Sequence, residues 1–166
     1  MIRKLTRDDL AAYRALHREA LVESGSVAFV QSVEEDAIVP DSEIAAVLAR
    51  GEGWGGFIDG MLAAKMTIDT LPHATLAHTR WLHALYVQPR ARGTGLARAM
   101  VEAAMHDAIA NGATRFLLWV NAENAGARRF YEKLGFGESG RIPEGIRMLG
   151  RVMDDVLMCR SVTGVT

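Results

Sequence analysis

Apolar residues recur along this chain with two periods, and the switches between them mark the elements. Leu10, Tyr13, Leu16, His17, Ala20 and Leu21 fall at helical spacing and predict a helix over residues 7–23. Thr6 stands where an N-cap belongs, with Asp9 three residues on. Ser24-Gly25-Ser26 is expected to end that helix. Residues 32–50 repeat the helical period, but Pro40 removes a ladder donor, so two short helices are expected. Residues 1–5 read as a short strand. Residues 54–58 and 61–69 read as strands around Asp59-Gly60, a pair suited to a type I′ hairpin turn because both turn positions need positive φ. Residues 79–87 form a further strand, closed by Pro89. A helix then opens in Gly93-Thr94-Gly95, buries Val101, Ala104, Met105 and Ala108, and ends at Asn111-Gly112. Residues 115–120 are nearly all apolar, as in a strand covered on both faces. A helix over residues 125–134 and strands over 136–141 and 154–160 complete the chain. Strand–helix–strand order in the second half implies a parallel pair with a right-handed crossover. Hairpins in the first half imply antiparallel strands. The expected fold is therefore α/β, with a central mixed sheet flanked by helices.

Composition narrows the class. At 49% hydrophobic and 23% charged residues, the 166-residue chain is expected to fold as one domain over residues 1–166. Nineteen Lys+Arg against twenty Asp+Glu leave a net charge of -1, which argues against a dedicated nucleic-acid binder. Cys159 is the one cysteine and reads as a buried small hydrophobe; no Cys/His spacing suggests a metal. No apolar run approaches the roughly 18 residues of a membrane span, and residues 1–10 lack a signal-peptide core. No membrane partner and a cytoplasmic location are expected.

Candidate chemistry concentrates in Leu85-Tyr86-Val87-Gln88-Pro89-Arg90-Ala91-Arg92-Gly93-Thr94-Gly95-Leu96-Ala97. A strand runs into a glycine-rich turn that opens a helix. Such a turn leaves backbone N–H groups unpaired at the positive helix end, a geometry that binds phosphate. Arg90 and Arg92 add charged donors beside it. A Walker loop is absent, and a dinucleotide fingerprint fails because Arg98 stands where its third glycine belongs. On the glycines alone, an ordinary tight turn explains the segment equally well.

Arg90-Ala91-Arg92-Gly93-Thr94-Gly95, and the overlapping register Arg92-Gly93-Thr94-Gly95-Leu96-Ala97, fit the pattern [QR]-x-x-G-x-[GA]. Downstream, Asn124-Ala125-Gly126-Ala127-Arg128-Arg129-Phe130-Tyr131-Glu132-Lys133-Leu134-Gly135-Phe136 fits N-x-x-A-x-x-[FL]-Y-x-x-x-G-F. Both segments resemble, in order and context, the motifs of the GNAT N-acetyltransferase superfamily. That resemblance implies a mostly antiparallel sheet whose parallel fourth and fifth strands splay apart to take acetyl-CoA. It implies that Leu85, Tyr86 and Val87 lie along the pantetheine and thioester. Arg90, Arg92, Gly93, Thr94, Gly95, Leu96 and Ala97 would surround the pyrophosphate. Asn124 would contact the pantetheine, Ala127 would allow close approach, and Tyr131 would protonate the departing thiolate.

The implied reaction is acetyl transfer to a primary amine, small molecule or peptide, by direct attack in a ternary complex. A homodimer is consistent with the family. The alternative is a non-catalytic acyl-CoA-binding or sensing protein on the same scaffold. Many members place a glutamate base on strand four, where this chain has Trp81. His83, two residues on, is expected to share a face with Trp81, Leu85 and Val87. Imidazole titrates in the range a base needs, and a strand histidine bonded to a neighbour is the other reading. Glu34, Glu35 and Asp36 form an acidic cluster suited to drawing a cationic amine, or else a solvated helix face. A water chain to bulk is a further candidate base. Asp154-Asp155 reads as edge-strand charge that discourages pairing.

Overall fold

The structure is a computed structural model that describes residues 1–28, 31–148 and 150–162, with residues 24–28 described as backbone only. Seven strands form one mixed sheet: β1 (Ile2–Lys4), β2 (Gly53–Ile58), β3 (Met61–Thr70), β4 (Thr79–Val87), β5 (Arg115–Asn121), β6 (Gly137–Met148) and β7 (Arg151–Ser161). Their spatial order is β1-β2-β3-β4-β5-β7-β6. All neighbours are antiparallel except β4 and β5. The β2–β3 hairpin turns at Asp59 and Gly60 with φ of 50° and 77°, as the Asp-Gly pair predicts.

Helices cover both faces. α1 (Leu10–Ala28), α2 (Val33–Ala37) and α3 (Asp41–Ala49) lie on one side; α4 (Leu96–Ala110) and α5 (Ala125–Lys133) lie on the other. The α4 stripe of Met100, Val101, Ala104, Met105 and Ala108 packs on Met66, Leu82, Phe116, Leu118, Val156 and Met158 to form the main core. On the opposite face Leu16, Ala20 and Leu21 of α1 pack against Tyr86.

Three expectations are corrected. α1 does not stop at Ser24-Gly25-Ser26 but runs to Ala28. A single helical glycine costs only about 1 kcal/mol, which the rest of a long helix outweighs. β6 and β7 are longer than their apolar runs, because pairing resumes past an irregularity between Ile142 and Ile146 and continues from Ile146↔Met153 to Met148↔Arg151. β7 is not an edge strand: it lies between β5 and β6.

The largest departure is a β-bulge in β4. Lys65 pairs with Tyr86 and Thr67 pairs with His83, so β3 advances two residues while β4 advances three. Ala84 absorbs the extra residue with φ of 52°, unusual for a residue with a Cβ. The alternation changes phase there. Trp81 and His83 face the α1 side, as does Tyr86 beyond the bulge. Leu85 and Val87 pack on the α4-side core. His83 therefore does not share a face with Leu85 and Val87.

Candidate active site

β4 and β5 pair over three rungs only, Thr79↔Arg115, Arg80↔Phe116 and Trp81↔Leu117. Beyond Trp81 they diverge. The gap is a cleft of about 770 Å³, walled by Leu82–Val87 on one side and by Trp119, Val120, Asn121, Asn124, Ala127, Phe130 and Tyr131 on the other. Ladder alternation turns the main-chain groups of Tyr86 and Gln88 toward β3, where the Gln88 N–H bonds the Ala63 carbonyl. The main-chain groups of Leu85 and Val87 consequently face the gap.

At one end of the cleft stands the glycine turn. Gly93 and Gly95 adopt φ of 76° and 84°. A Cβ at either would meet nothing within 4 Å, so the turn presents bare backbone. Gly95 offers no side chain to cap α4, and among the described residues the Thr94 hydroxyl takes one first-turn N–H, that of Leu96, at 3.4 Å. The other first-turn N–H groups face outward, with the positive end of the helix dipole behind them. Thr94 braces the turn by donating its hydroxyl to the Ala91 carbonyl at 2.7 Å. Leu96 anchors the helix over Gly56, where a Cβ would approach its side chain to 2.9 Å. Arg92 crosses the cleft mouth, donating from Nε to the Val87 carbonyl at 3.0 Å and from Nη2 to Glu23 at 2.6 Å.

Tyr131 lies at the inner end, 9% exposed. Phe130 and Phe136 hold its ring edge-on, with centroids 5.1 and 5.7 Å away. Burial pushes its phenol well above the usual range. Asn124 caps α5, its Oδ1 accepting from the Ala127 N–H at 3.0 Å, so this residue shapes the cleft wall while leaving its amide nitrogen uncommitted to the cap. On the α1 side, His83 Nε2 lies 3.1 Å from Asp69 Oδ2. The Thr67↔His83 and Asp69↔Trp81 rungs make Asp69 a diagonal neighbour of the imidazole.

A model of the acetyltransferase (GNAT) family matches residues 11–136. The chain belongs to that family. Over 71 residues it is 37% identical to an uncharacterized N-acetyltransferase of Methanocaldococcus jannaschii, covering 43% of this chain and 31% of that protein. Over 78 residues it is 41% identical to the mycothiol acetyltransferase of Beutenbergia cavernae, covering 47% of this chain and 25% of that protein. The chain thus matches under a third of the length of either relative. In fold it is similar to a Salmonella typhimurium protein solved with its cofactor acetyl-CoA, with a TM-score of 0.84, 19% identity and coverage of 100% of this chain and 95% of that one. A ribosomal-protein-alanine N-acetyltransferase of Brucella melitensis gives a TM-score of 0.82 at 20% identity, covering 98% and 99% of the two chains.

Within this GNAT fold the structure brings most of the motif residues to one cleft. Leu85, Tyr86, Val87, Arg92, Ala97, Asn124, Ala127, Tyr131 and His83 all line it. Gly93, Thr94, Gly95 and Leu96 form the adjoining turn, and exposed Arg90 bonds Gln88 at 3.0 Å. The Tyr86 hydroxyl points away, to Glu19 at 3.1 Å, and burial with that carboxylate pushes its phenol up to about 12.

The acidic cluster is not brought to the cleft. Glu35 closes a capping box with Ser32, and Glu34 is exposed on α2. Asp36 turns inward and is buried against Arg14 at 3.3 Å. One helical turn cannot aim three consecutive side chains at the same place.

Several site residues had no motif to announce them. His17 and Gln31 line the cleft from the α1 side and lie 3.1 Å apart. Burial pulls the His17 imidazole down. Asp155 lines the β5–β7 side, and burial pushes its carboxyl up. Lys65 is wholly buried beneath the bulge. Its Nζ donates to the Ala84 carbonyl at 3.2 Å and sits 4.8 Å from the Tyr13 ring centroid. Hairpin pairing could have suggested Asp69 beside His83; nothing short of the fold suggests the others.

The turn yields a controlled test. Gly95→Ala and Gly112→Ala both place a Cβ at positive φ in open space. Each is expected to cost about 1–2 kcal/mol of stability. Only Gly95→Ala should also weaken acetyl-CoA binding in calorimetric titration, by about tenfold if one phosphate contact is lost. Equal weakening by both variants would remove the turn from the binding site.

Proposed function

We propose that this protein is an N-acetyltransferase that moves the acetyl group of acetyl-CoA to a primary amine by direct attack in a ternary complex. The observation that carries the reading is the β4–β5 cleft, which has the Tyr131 phenol in its wall and runs into the glycine turn that opens α4. Acetyl-CoA fits its chemistry. The Gly93–Gly95 turn and the α4 dipole suit a pyrophosphate. The outward main chain of Leu85 and Val87 suits an extended amide-bearing arm. Acetyl-CoA supplies the acyl carbon and the thiolate leaving group.

The residues of this chain divide the remaining work. Gap-facing N–H groups beyond the bulge are placed to stabilise charge on the acyl oxygen. As the C–N bond forms and the C–S bond breaks, the Tyr131 hydroxyl gives its proton to sulfur. His83 receives the proton that the amine must lose, with Asp69 fixing the imidazole. No nucleophilic side chain is required.

Screening primary amines for CoA release tests the reading; turnover is expected with at least one class. Binding of acetyl-CoA with no turnover across the panel would favour the acyl-CoA-binding alternative. Tight ATP or NAD binding without acetyl-CoA binding would overturn both. His83→Gln and Asp69→Asn are each expected to lower kcat about tenfold or more. The double variant should fall little further than His83→Gln, because the two act as a unit. Additive losses would separate them.

A further inference from the structure

The proposed activity leaves the acceptor open, and the acceptor-side wall has a composition of its own. Trp81 closes the base of the V, at the last rung shared by β4 and β5. His83 stands two residues further along β4, and Trp119 two residues past Leu117 on β5. Strand alternation and the Trp81↔Leu117 rung put all three on one face. Their rings form a ladder: Trp81 to His83 is 6.2 Å between centroids with planes 16° apart, and Trp81 to Trp119 is 6.3 Å with planes 17° apart. Trp119 is left 40% exposed within the cleft. The rings hold one another in place, so a flat ligand laid against them orders little that is not ordered already.

Charge at this end is sparse and of one sign. Apart from histidines, the charged side chains lining the cleft among the described residues are Arg92, at the glycine turn, and Asp155, on the β5–β7 side. Asp155 pairs with Asn121 across β5 and β7, one rung pair beyond Trp119↔Leu157. That makes it a diagonal neighbour of Trp119, roughly 7–8 Å away. Among the described residues no cation pairs with Asp155. Among the described residues the arginine lining the cleft, Arg92, is already paired with Glu23. An acceptor bearing a carboxylate would meet Asp155 with no free countercharge. A polyamine would bring two or more charges to a cleft wall with one carboxylate, Asp155, among the described lining residues.

Resting on the acetyl-transfer reading, we propose that the acceptor is a monocationic amine on a flat aromatic body, its ring lying against Trp119, which Trp81 backs, and its ammonium steered into the cleft by Asp155 before the nitrogen gives its proton to His83.

Tryptamine, phenethylamine, hexylamine, spermidine and phenylalanine serve as probes. Tryptamine and phenethylamine are expected to exceed the other three in kcat/KM by about tenfold or more. Trp119→Ala should raise KM for tryptamine about tenfold while leaving KM for acetyl-CoA unchanged, and Trp119→Phe should recover most of the loss. Asp155→Asn should raise KM for tryptamine and phenethylamine alike. Preference for hexylamine, spermidine or phenylalanine, or a tryptamine KM indifferent to Trp119→Ala, would overturn the proposal. Calorimetric binding of tryptamine to the CoA-loaded protein separates the two readings. Binding that is lost in Trp119→Ala supports the ladder even without turnover. No tryptamine binding alongside turnover of another amine overturns the ladder and leaves the transferase standing.

Discussion

Tyr131→Phe is expected to lower kcat by about 10²–10⁴-fold, the range for loss of a positioned general acid. The substitution is unusually clean at this site. Phe130 and Phe136 hold the ring edge-on, and phenylalanine preserves both contacts. No described side chain bonds the hydroxyl, so its removal orphans no partner. Thermal stability should therefore stay near wild type, and KM for acetyl-CoA should change little. Burial raises the phenol and so keeps its proton in place at ordinary assay pH. The same dry surroundings disfavour a free thiolate, so the acid and the group it serves are shifted in the same direction. An acyl donor with a more acidic thiol needs less help and should narrow the gap between variant and wild type. A variant with wild-type kcat in the chemical step would remove Tyr131 from the proton path.

The second large effect concerns stability. Lys65 has its ammonium pulled from 10.5 down to about 7, chiefly by burial, with Asp36 opposing. Between those values the unfolded chain holds a proton that the folded chain has released. Stability from this group must therefore rise with pH across that window, and the cost of burying the cation is fully present below about pH 7. Lys65→Met keeps the length of the side chain and removes the titration. It also leaves the Ala84 carbonyl without its donor, a penalty of about 1–3 kcal/mol that does not titrate. The difference in unfolding free energy between wild type and Lys65→Met should shift in favour of wild type by on the order of 3 kcal/mol from pH 7 to pH 10. Urea unfolding at several pH values measures it. Parallel stability curves for the two proteins would mean that Lys65 does not lose its proton on folding.

Both predictions depend on features that differ in how far the sequence exposes them. Tyr131 sits in a motif read directly from Asn124 to Phe136, and the glycine turn from Arg90 to Gly95 is equally explicit. Asp59-Gly60 and the Val101–Ala108 stripe are legible because each depends on local conformation or on one helical period. Lys65 is not legible: within Ala63-Ala64-Lys65-Met66 it reads as the polar side of a half-buried strand, yet α1 covers that side. Asp155 reads as edge charge until β5 is seen to pair with β7. The phase of β4 fails for a similar reason. Nothing between Trp81 and Val87 marks Ala84 as an extra residue, because the bulge is defined by the count on β3. Helix faces and turns are local properties, whereas register belongs to two strands at once.

The bulge also makes the length of β4 a quantity in its own right. Deleting any one residue between His83 and Tyr86 would restore simple alternation and leave every remaining side chain chemically intact. His83 and Tyr86 would then stand two residues apart and still face α1, so Tyr86 would keep its packing with Leu16 and Ala20; deletion of Ala84 would instead remove the carbonyl that accepts from Lys65 and the irregular backbone beside the cleft. Replacement of Ala84 by another residue that tolerates its φ of 52° leaves the bulge in place. Asparagine or glycine at position 84 would keep the bulge, whereas a deletion would keep the faces of β4 and lose the bulge itself.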